Sequence, residues 1–332
     1  MRPWGANVLV KECASYTYGG VMKHVFIINP VAGNGKTQEK LKETINFELR
    51  DKEIDYEVYV TKFKGDVKNF IANKCKENVQ TVFYACGGDG TLHEVINAAC
   101  KYKNASIGVI PLGSGNDFVK NFNNYGNFSD IISQIEGEGI ELDLIKVNNV
   151  YAATVLNIGL DADVAFNMQK FKKIPFIQGS TRYYLSILYC LLSKLGKYIE
   201  VKTDINAFKD SFLIGVAANG QYYGSGYKCA PKAKINDGII DLCFVKNISR
   251  LKILGLIGSY KKGEHLENPK INKYITYIKT EQANIKFNEL TNVCMDGEKY
   301  IFDEINISAE RCALKFWLPK EVLVSRKENF VC

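Results

Sequence analysis

Arginine is scarce in this 332-residue chain, occurring only as Arg2, Arg50, Arg182, Arg250, Arg311 and Arg326. The formal net charge of +7, from 43 Lys plus Arg against 36 Asp plus Glu, is therefore mostly lysine scattered among acids, with no basic block. That excludes a dedicated nucleic-acid binder, which shows a basic stripe, and leaves a mild attraction to anionic membrane surfaces or polyphosphates. Histidine occurs three times, at His24, His93 and His265, with no HExxH or similar metal pattern. The ten cysteines contain no CxxC pair and mostly have apolar neighbours, so they read as reduced small hydrophobes of a cytoplasmic protein. The longest apolar run, Tyr183–Leu192, is about half of what a bilayer span needs. Lys11 and Glu12 fall where a signal peptide would place its apolar run, so no secretion signal is expected, and residues 1–21 read as an N-terminal extension.

What the chain has is a composition of 46% hydrophobic and 24% charged residues over a length that suits two domains, each with its own core. His24–Asn29, Ile54–Val60, Val79–Ala85 and Ser106–Ile110 read as strands, and Lys36–Arg50, Lys64–Asn78 and Leu92–Tyr102 as helices between them. Such alternation predicts a doubly wound α/β sheet whose ligands bind at the carboxyl ends of parallel strands. After about residue 140 the pattern changes. Leu142–Val147, Tyr151–Asn157, Phe212–Ala217, Ile239–Val245, Tyr274–Lys279, Asn284–Phe287 and Ile305–Ser308 read as strands of a mostly antiparallel second domain, with helices near 181–196 and 249–262. Ala313–Val324 reads as two further strand pieces.

Three polar glycine loops fall at the same edge of the first sheet. Gly87-Gly88-Asp89-Gly90-Thr91 is the most specific: its glycines let backbone approach a ligand, and the helix beyond presents free N–H groups suited to phosphate. Asp89 in such an anion-binding turn makes sense if a cation bridges it to phosphates. Asn29-Pro30-Val31-Ala32-Gly33 follows the first strand; Pro30 stands where a P-loop requires glycine, so that signature fails. Gly113-Ser114-Gly115-Asn116-Asp117 follows the fourth strand. Together the loops favour a nucleotide site. In the second half, Lys234–Ile239 contains Asn236-Asp237-Gly238, readable as a hairpin turn or as a hard-cation site. Asp296-Gly297-Glu298 supplies two carboxylates that would share a face on a strand or cluster at a turn, and either could serve in proton transfer.

These five motifs, in this order, resemble the diacylglycerol kinase catalytic-domain family, in particular its soluble bacterial lipid kinases, which are related to sphingosine and ceramide kinases. The resemblance runs from about Lys23 past Phe316. It implies an N-terminal nucleotide domain over 22–145, completed by 313–332, and a β-sandwich lipid-substrate domain over 146–312. It implies ATP-dependent transfer of phosphate to a lipid hydroxyl, diacylglycerol first among acceptors, giving phosphatidic acid, with Mg²⁺ as metal. On residue matching, Asn29, Pro30, Val31, Ala32, Gly33, Thr61, Gly87, Gly88, Asp89, Gly90, Thr91, Leu92, His93 and Ser114 would contact the nucleotide. Asp89 and Asp117 would organise Mg²⁺, and Asp296 or Glu298 would act as base, the choice staying open. Asp237, with the carbonyls of Lys234 and Ile239, would form a structural Mg²⁺ site. His93 and Ser114 stand where Asn and Thr are usual, and Asn236 replaces a frequent acid. NAD kinase and a catalytically silent lipid- or nucleotide-binding regulator are the alternatives. The implied partner is a membrane lipid, reached by transient contact at the inner membrane surface without nucleic acid, and a homodimer stays open. The apolar helix around Tyr183–Leu192 packs on the sheet or meets the membrane.

Overall fold

The structure is a computed structural model describing residues 22–32, 36–171, 180–192 and 195–322. Its first half alternates β1 (Lys23–Ile28), α1 (Lys36–Leu49), β2 (Asp55–Val60), α2 (Asp66–Cys75), β3 (Thr81–Gly87), α3 (Asp89–Ala99) and β4 (Ala105–Pro111). The four strands are parallel in the order β4-β3-β1-β2. Both faces of this sheet are covered, so the inner strands β3 and β4 are buried almost throughout, while the edge strand β2, Asp-Tyr-Glu-Val-Tyr-Val, is only partly buried. Val25 and Ile27 of β1 face the core that Ile71 of α2 and Val95 of α3 also enter, while Phe26 and Ile28 face Ile45 of α1.

After the short α4 (Ile131–Ile135), the chain forms β5 (Glu138–Val147), β6 (Val150–Ala152), β7 (Val155–Gly159), α5 (Leu160–Phe171), α6 (Ser180–Leu192), β8 (Lys197–Thr203) and β9 (Ala207–Ala218). Then come β10 (Tyr222–Tyr223), β11 (Tyr227–Lys228), β12 (Ile240–Lys246), α7 (Arg250–Lys262), α8 (Pro269–Asn272), β13 (Ile275–Thr280), β14 (Gln282–Met295) and β15 (Glu298–Leu318). Apart from the parallel contact of β15 with β4, these strands pair antiparallel and form a β-sandwich around Leu156, Ile199, Phe212, Phe244, Ile285 and Ile305. α5, α6 and α7 close over its outer face, where Val164, Ile187 and Tyr260 share a second core with Leu213 and Val216.

β15 corrects the expectation of two separate strand pieces after Ala313. It is one 21-residue strand whose alternation breaks at a bulge between Glu310 and Leu314, with Cys312 at φ 54°. Before the bulge it pairs with β14 of the sandwich, and beyond it Phe316 lies beside Ile107 of β4. α3 begins at Asp89, not Leu92, so the Asp-Gly-Thr of the glycine motif forms the helix's first turn. α2 begins at Asp66 because Gly65, at φ 86°, leaves the helical region. α5 and β8 had no counterpart in the sequence reading. No helix among the described residues is long and apolar enough to cross a membrane.

Candidate active site

Buried strand β3 delivers Gly87 and Gly88 to the edge where β4 delivers Gly113. A Cβ on Gly113 would lie 2.5 Å from the Gly88 Cα, and one on Gly87 would lie 2.2 Å from Thr91 Oγ1. Only glycine permits this approach, which brings two loops together at the start of α3, where first-turn N–H groups have no intrahelical acceptor. Asn29, at the end of β1, joins them: its Nδ2 donates to Thr91 Oγ1 at 2.9 Å, and its Oδ1 accepts from Val31 N at 3.1 Å.

Asp89 faces the third loop. Its Oδ1 accepts from the N–H groups of Asp117 at 2.7 Å and Phe118 at 3.4 Å. Burial, then the neighbouring Asp117 carboxylate, push the Asp89 carboxyl up to about 6. Asp117, 7% exposed, accepts from Lys120 Nζ at 2.6 Å and from Ser225 N at 2.9 Å.

The sandwich adds its own carboxylate across the edge. β14 and β15 are joined by a two-residue turn, Asp296 (φ 47°) and Gly297 (φ 87°), the left-handed pair for which Asp-Gly is favoured. The turn separates its two carboxylates instead of clustering them. Asp296 points inward, its side chain 6% exposed, and accepts from the N–H groups of Ala153 (2.7 Å), Thr154 (2.9 Å) and Val155 (3.1 Å), with His93 Nδ1 at 3.4 Å. Glu298 points at the glycine motif: a Cβ on Gly90 would lie 2.6 Å from its Oε1. Its Oε2 pairs with Lys64, an exposed side chain beyond β2.

Away from this edge, the 234–239 turn is braced by Asp143, whose carboxylate accepts from Gly238 N at 2.6 Å and from Cys312 N at 2.8 Å. One buried side chain thus ties the turn to the β15 bulge. Asp237 Oδ1 accepts from Ile239 N at 3.1 Å, and Lys279 Nζ lies 3.9 Å from its Oδ2. Burial raises the Asp237 carboxyl; nearby Lys279 opposes this, while Asp241 and Asp143 add to it. Among the described residues no three His, Cys, Asp or Glu side chains gather as a metal cluster, so a cation here would need backbone carbonyls.

Residues 23–147 match the diacylglycerol kinase catalytic domain, and residues 154–307 match the YegS C-terminal NAD kinase beta sandwich-like domain. The chain belongs to the diacylglycerol kinase family. It is 26% identical over 274 residues to a diacylglycerol kinase of Staphylococcus epidermidis, covering 82% of this chain and 84% of that one. To a diacylglycerol kinase of Staphylococcus aureus it is 27% identical over 276 residues, with the same coverage. A crystal structure of a diacylglycerol kinase from Bacillus anthracis shares the fold at a TM-score of 0.64 and 19% identity, over 90% of this chain and 98% of that one. This family member is a lipid kinase, a phosphotransferase, and the NAD kinase and silent-regulator readings are set aside.

In this lipid kinase Asn29, Pro30, Val31, Ala32, Thr61, Gly87, Gly88, Asp89, Gly90, Thr91 and Ser114 lie at the carboxyl edge of the sheet; Thr61 N donates to Ile28 O at 3.0 Å. Gly33 lies outside the described residues, as do residues 1–21. Two expected contacts turn inward. Leu92, 3% exposed, belongs to the core, and His93, 4% exposed, has Asp296 on Nδ1 and Tyr300 OH on Nε2 at 2.9 Å. The helix geometry explains both, because positions four and five of α3 lie on the face packed against the protein. Lys64, Lys120 and Asp143 were missed. Only Asp143 left a trace in the sequence, as a lone carboxylate within an apolar strand.

Proposed function

We propose that this lipid kinase transfers the γ-phosphate of ATP to the free hydroxyl of diacylglycerol, giving phosphatidic acid, with Glu298 as the base. One observation carries the reading: the Glu298 carboxylate, held by the sandwich, packs against Gly90 in the first turn of α3. A phosphate cradled by the glycine loops would lie beside an acceptor hydroxyl next to that carboxylate. Glu298 Oε1 takes the hydroxyl proton, the lipid oxygen forms its bond to the γ-phosphorus, and the bond to the ADP oxygen breaks. Asp296 is unsuited to this role, because backbone donors already occupy its oxygens.

Asp89 and Asp117 are suited to a magnesium ion: burial first, and then the neighbouring Asp117 carboxylate, disfavour the ionised form of Asp89, which a cation beside the two would relieve. Bound there, Mg²⁺ would neutralise charge on the transferring phosphate. Asp237, with the carbonyls of Lys234 and Ile239, is suited to a second, structural Mg²⁺ by its raised carboxyl and acidic neighbours. We place the enzyme in the cytoplasm with transient visits to the inner membrane surface, favoured by its +7 charge.

The test is transfer of label from [γ-³²P]ATP to dioctanoylglycerol in mixed micelles, followed by solvent partition. Label in the organic phase as phosphatidic acid supports the reading. Label confined to the aqueous phase, or none transferred, overturns it.

A further inference from the structure

Helix α3 meets the sandwich along one face, and the contacts there form a ladder. At its first turn Gly90 has the Glu298 carboxylate against it. Three residues on, His93 Nε2 lies 2.9 Å from the Tyr300 hydroxyl and His93 Nδ1 lies 3.4 Å from Asp296 Oδ2. Four further on, Asn97 Nδ2 donates to Tyr151 O at 2.9 Å, while its Oδ1 accepts from Tyr151 N at 2.8 Å. Steps of three and four return to one face of a helix, and a step of two returns to one face of a strand. Glu298 and Tyr300 of β15 therefore address Gly90 and His93 in register.

The middle rung has a direction. Burial, then the Glu298, Asp296 and Glu94 carboxylates, push the Tyr300 hydroxyl up to about 12, so it keeps its proton and donates. His93 Nε2 then accepts, which leaves the ring hydrogen on Nδ1, facing Asp296. Both partners are shielded from water, the His93 side chain being 4% exposed and that of Asp296 6%. Asn97 holds α3 to β6 by its own pair of bonds, so cutting the middle rung leaves the helix docked and slackens only the contact of Glu298 with Gly90.

We infer that His93 and Tyr300 are positioning residues for phosphate transfer: the hydroxyl-to-imidazole bond fixes how high β15 sits along α3, and so holds the Glu298 carboxylate at the glycine motif. The inference rests on the reading of Glu298 as base and adds what aims it. Misplacing a reacting group by about 1 Å costs on the order of 10²-fold in rate.

The experiment is steady-state transfer from ATP to dioctanoylglycerol in mixed micelles by variants at these positions. Tyr300→Phe, which removes one oxygen, should lower kcat about tenfold to hundredfold and leave KM for both substrates within about twofold. In a Glu298→Gln background the same change should alter kcat by less than about twofold, since no base is left to aim. His93→Gln places its amide where Nε2 stood and should keep kcat near that of the wild type, whereas His93→Asn reaches only the Nδ1 position and should match Tyr300→Phe. A Tyr300→Phe loss that persists in full in the Glu298→Gln background overturns the inference, as does wild-type kcat in Tyr300→Phe, or equal kcat in His93→Gln and His93→Asn. ¹⁵N NMR of the imidazoles, of which the chain has three, reads the bond without turnover. Wild-type His93 should carry its ring hydrogen on Nδ1, and an Nε2–H tautomer overturns the inference. Full activity in Glu298→Gln alone would sink the base reading and this inference with it; an inactive Glu298→Gln beside a fully active Tyr300→Phe sinks only this inference.

Discussion

Two groups of carboxylates in this molecule live under opposite conditions. Asp296 and Asp143 are saturated: backbone N–H groups meet their oxygens, and each pins a turn to a neighbouring strand. Asp89 and Asp117 crowd each other, and Glu298 faces a glycine turn with only a flexible lysine to answer it. A carboxylate that donors surround is a bracket. An acid crowded by another acid, or answered only by a flexible cation, is ready to bind a metal or take a proton, and the Asp-Gly-Glu turn puts one of each kind two residues apart.

Glu298→Gln offers the largest test of that division. Turnover should fall by roughly 10²–10⁴-fold, as loss of a general base does, with urea unfolding unchanged; a fold lost along with activity would place Glu298 among the brackets. Asp296→Ala should do the reverse, stranding three buried N–H groups and lowering unfolding stability by about 4 kcal/mol. A variant of wild-type stability would dissolve the distinction.

Asp89→Asn sharpens it through pH. A carboxyl raised to about 6 binds its proton more tightly folded than unfolded, so its stabilisation is complete below the ordinary range near pH 4 and is lost as pH rises to about 6. Thermal melts should therefore show the variant more stable than wild type by about 3 kcal/mol at pH 8 and equal to it at pH 3.5. Millimolar Mg²⁺ should narrow the gap at pH 8. Lys64→Ala should have the smallest effect, under about 1 kcal/mol in the same melts, because its partner salt bridge is exposed on the lysine side.

The parallel sheet was legible because β1, β3 and β4 carry apolar runs that stop at proline or glycine, and β2 alternates apolar with charged residues. Position along α3 was less so: glycines signal a loop, yet the close packing of Gly88 on Gly113 lets the helix start at Asp89 and carries Leu92 and His93 inward. The Asp-Gly-Glu motif was found, but its division of roles depends on N–H groups of residues 153–155, far away in sequence. β15 was fragmented because Ala309–Ala313 interrupts its alternation where the bulge forms. The pairing of His93 with Tyr300 joins a helix to a strand 207 residues away, which no local pattern connects.

The long strand β15 also sets a timetable. Its last residues, Leu314–Leu318, lie between β4 and β5 and complete the first sheet, yet they follow β4 by about two hundred residues. At roughly 5–20 residues per second, a ribosome needs about 10–40 s to deliver them. Throughout that interval the glycine loops stand on a sheet with an open flank, so a chain interrupted late in synthesis would leave an adhesive edge exposed, and nascent copies have reason to be kept apart until the final strand docks.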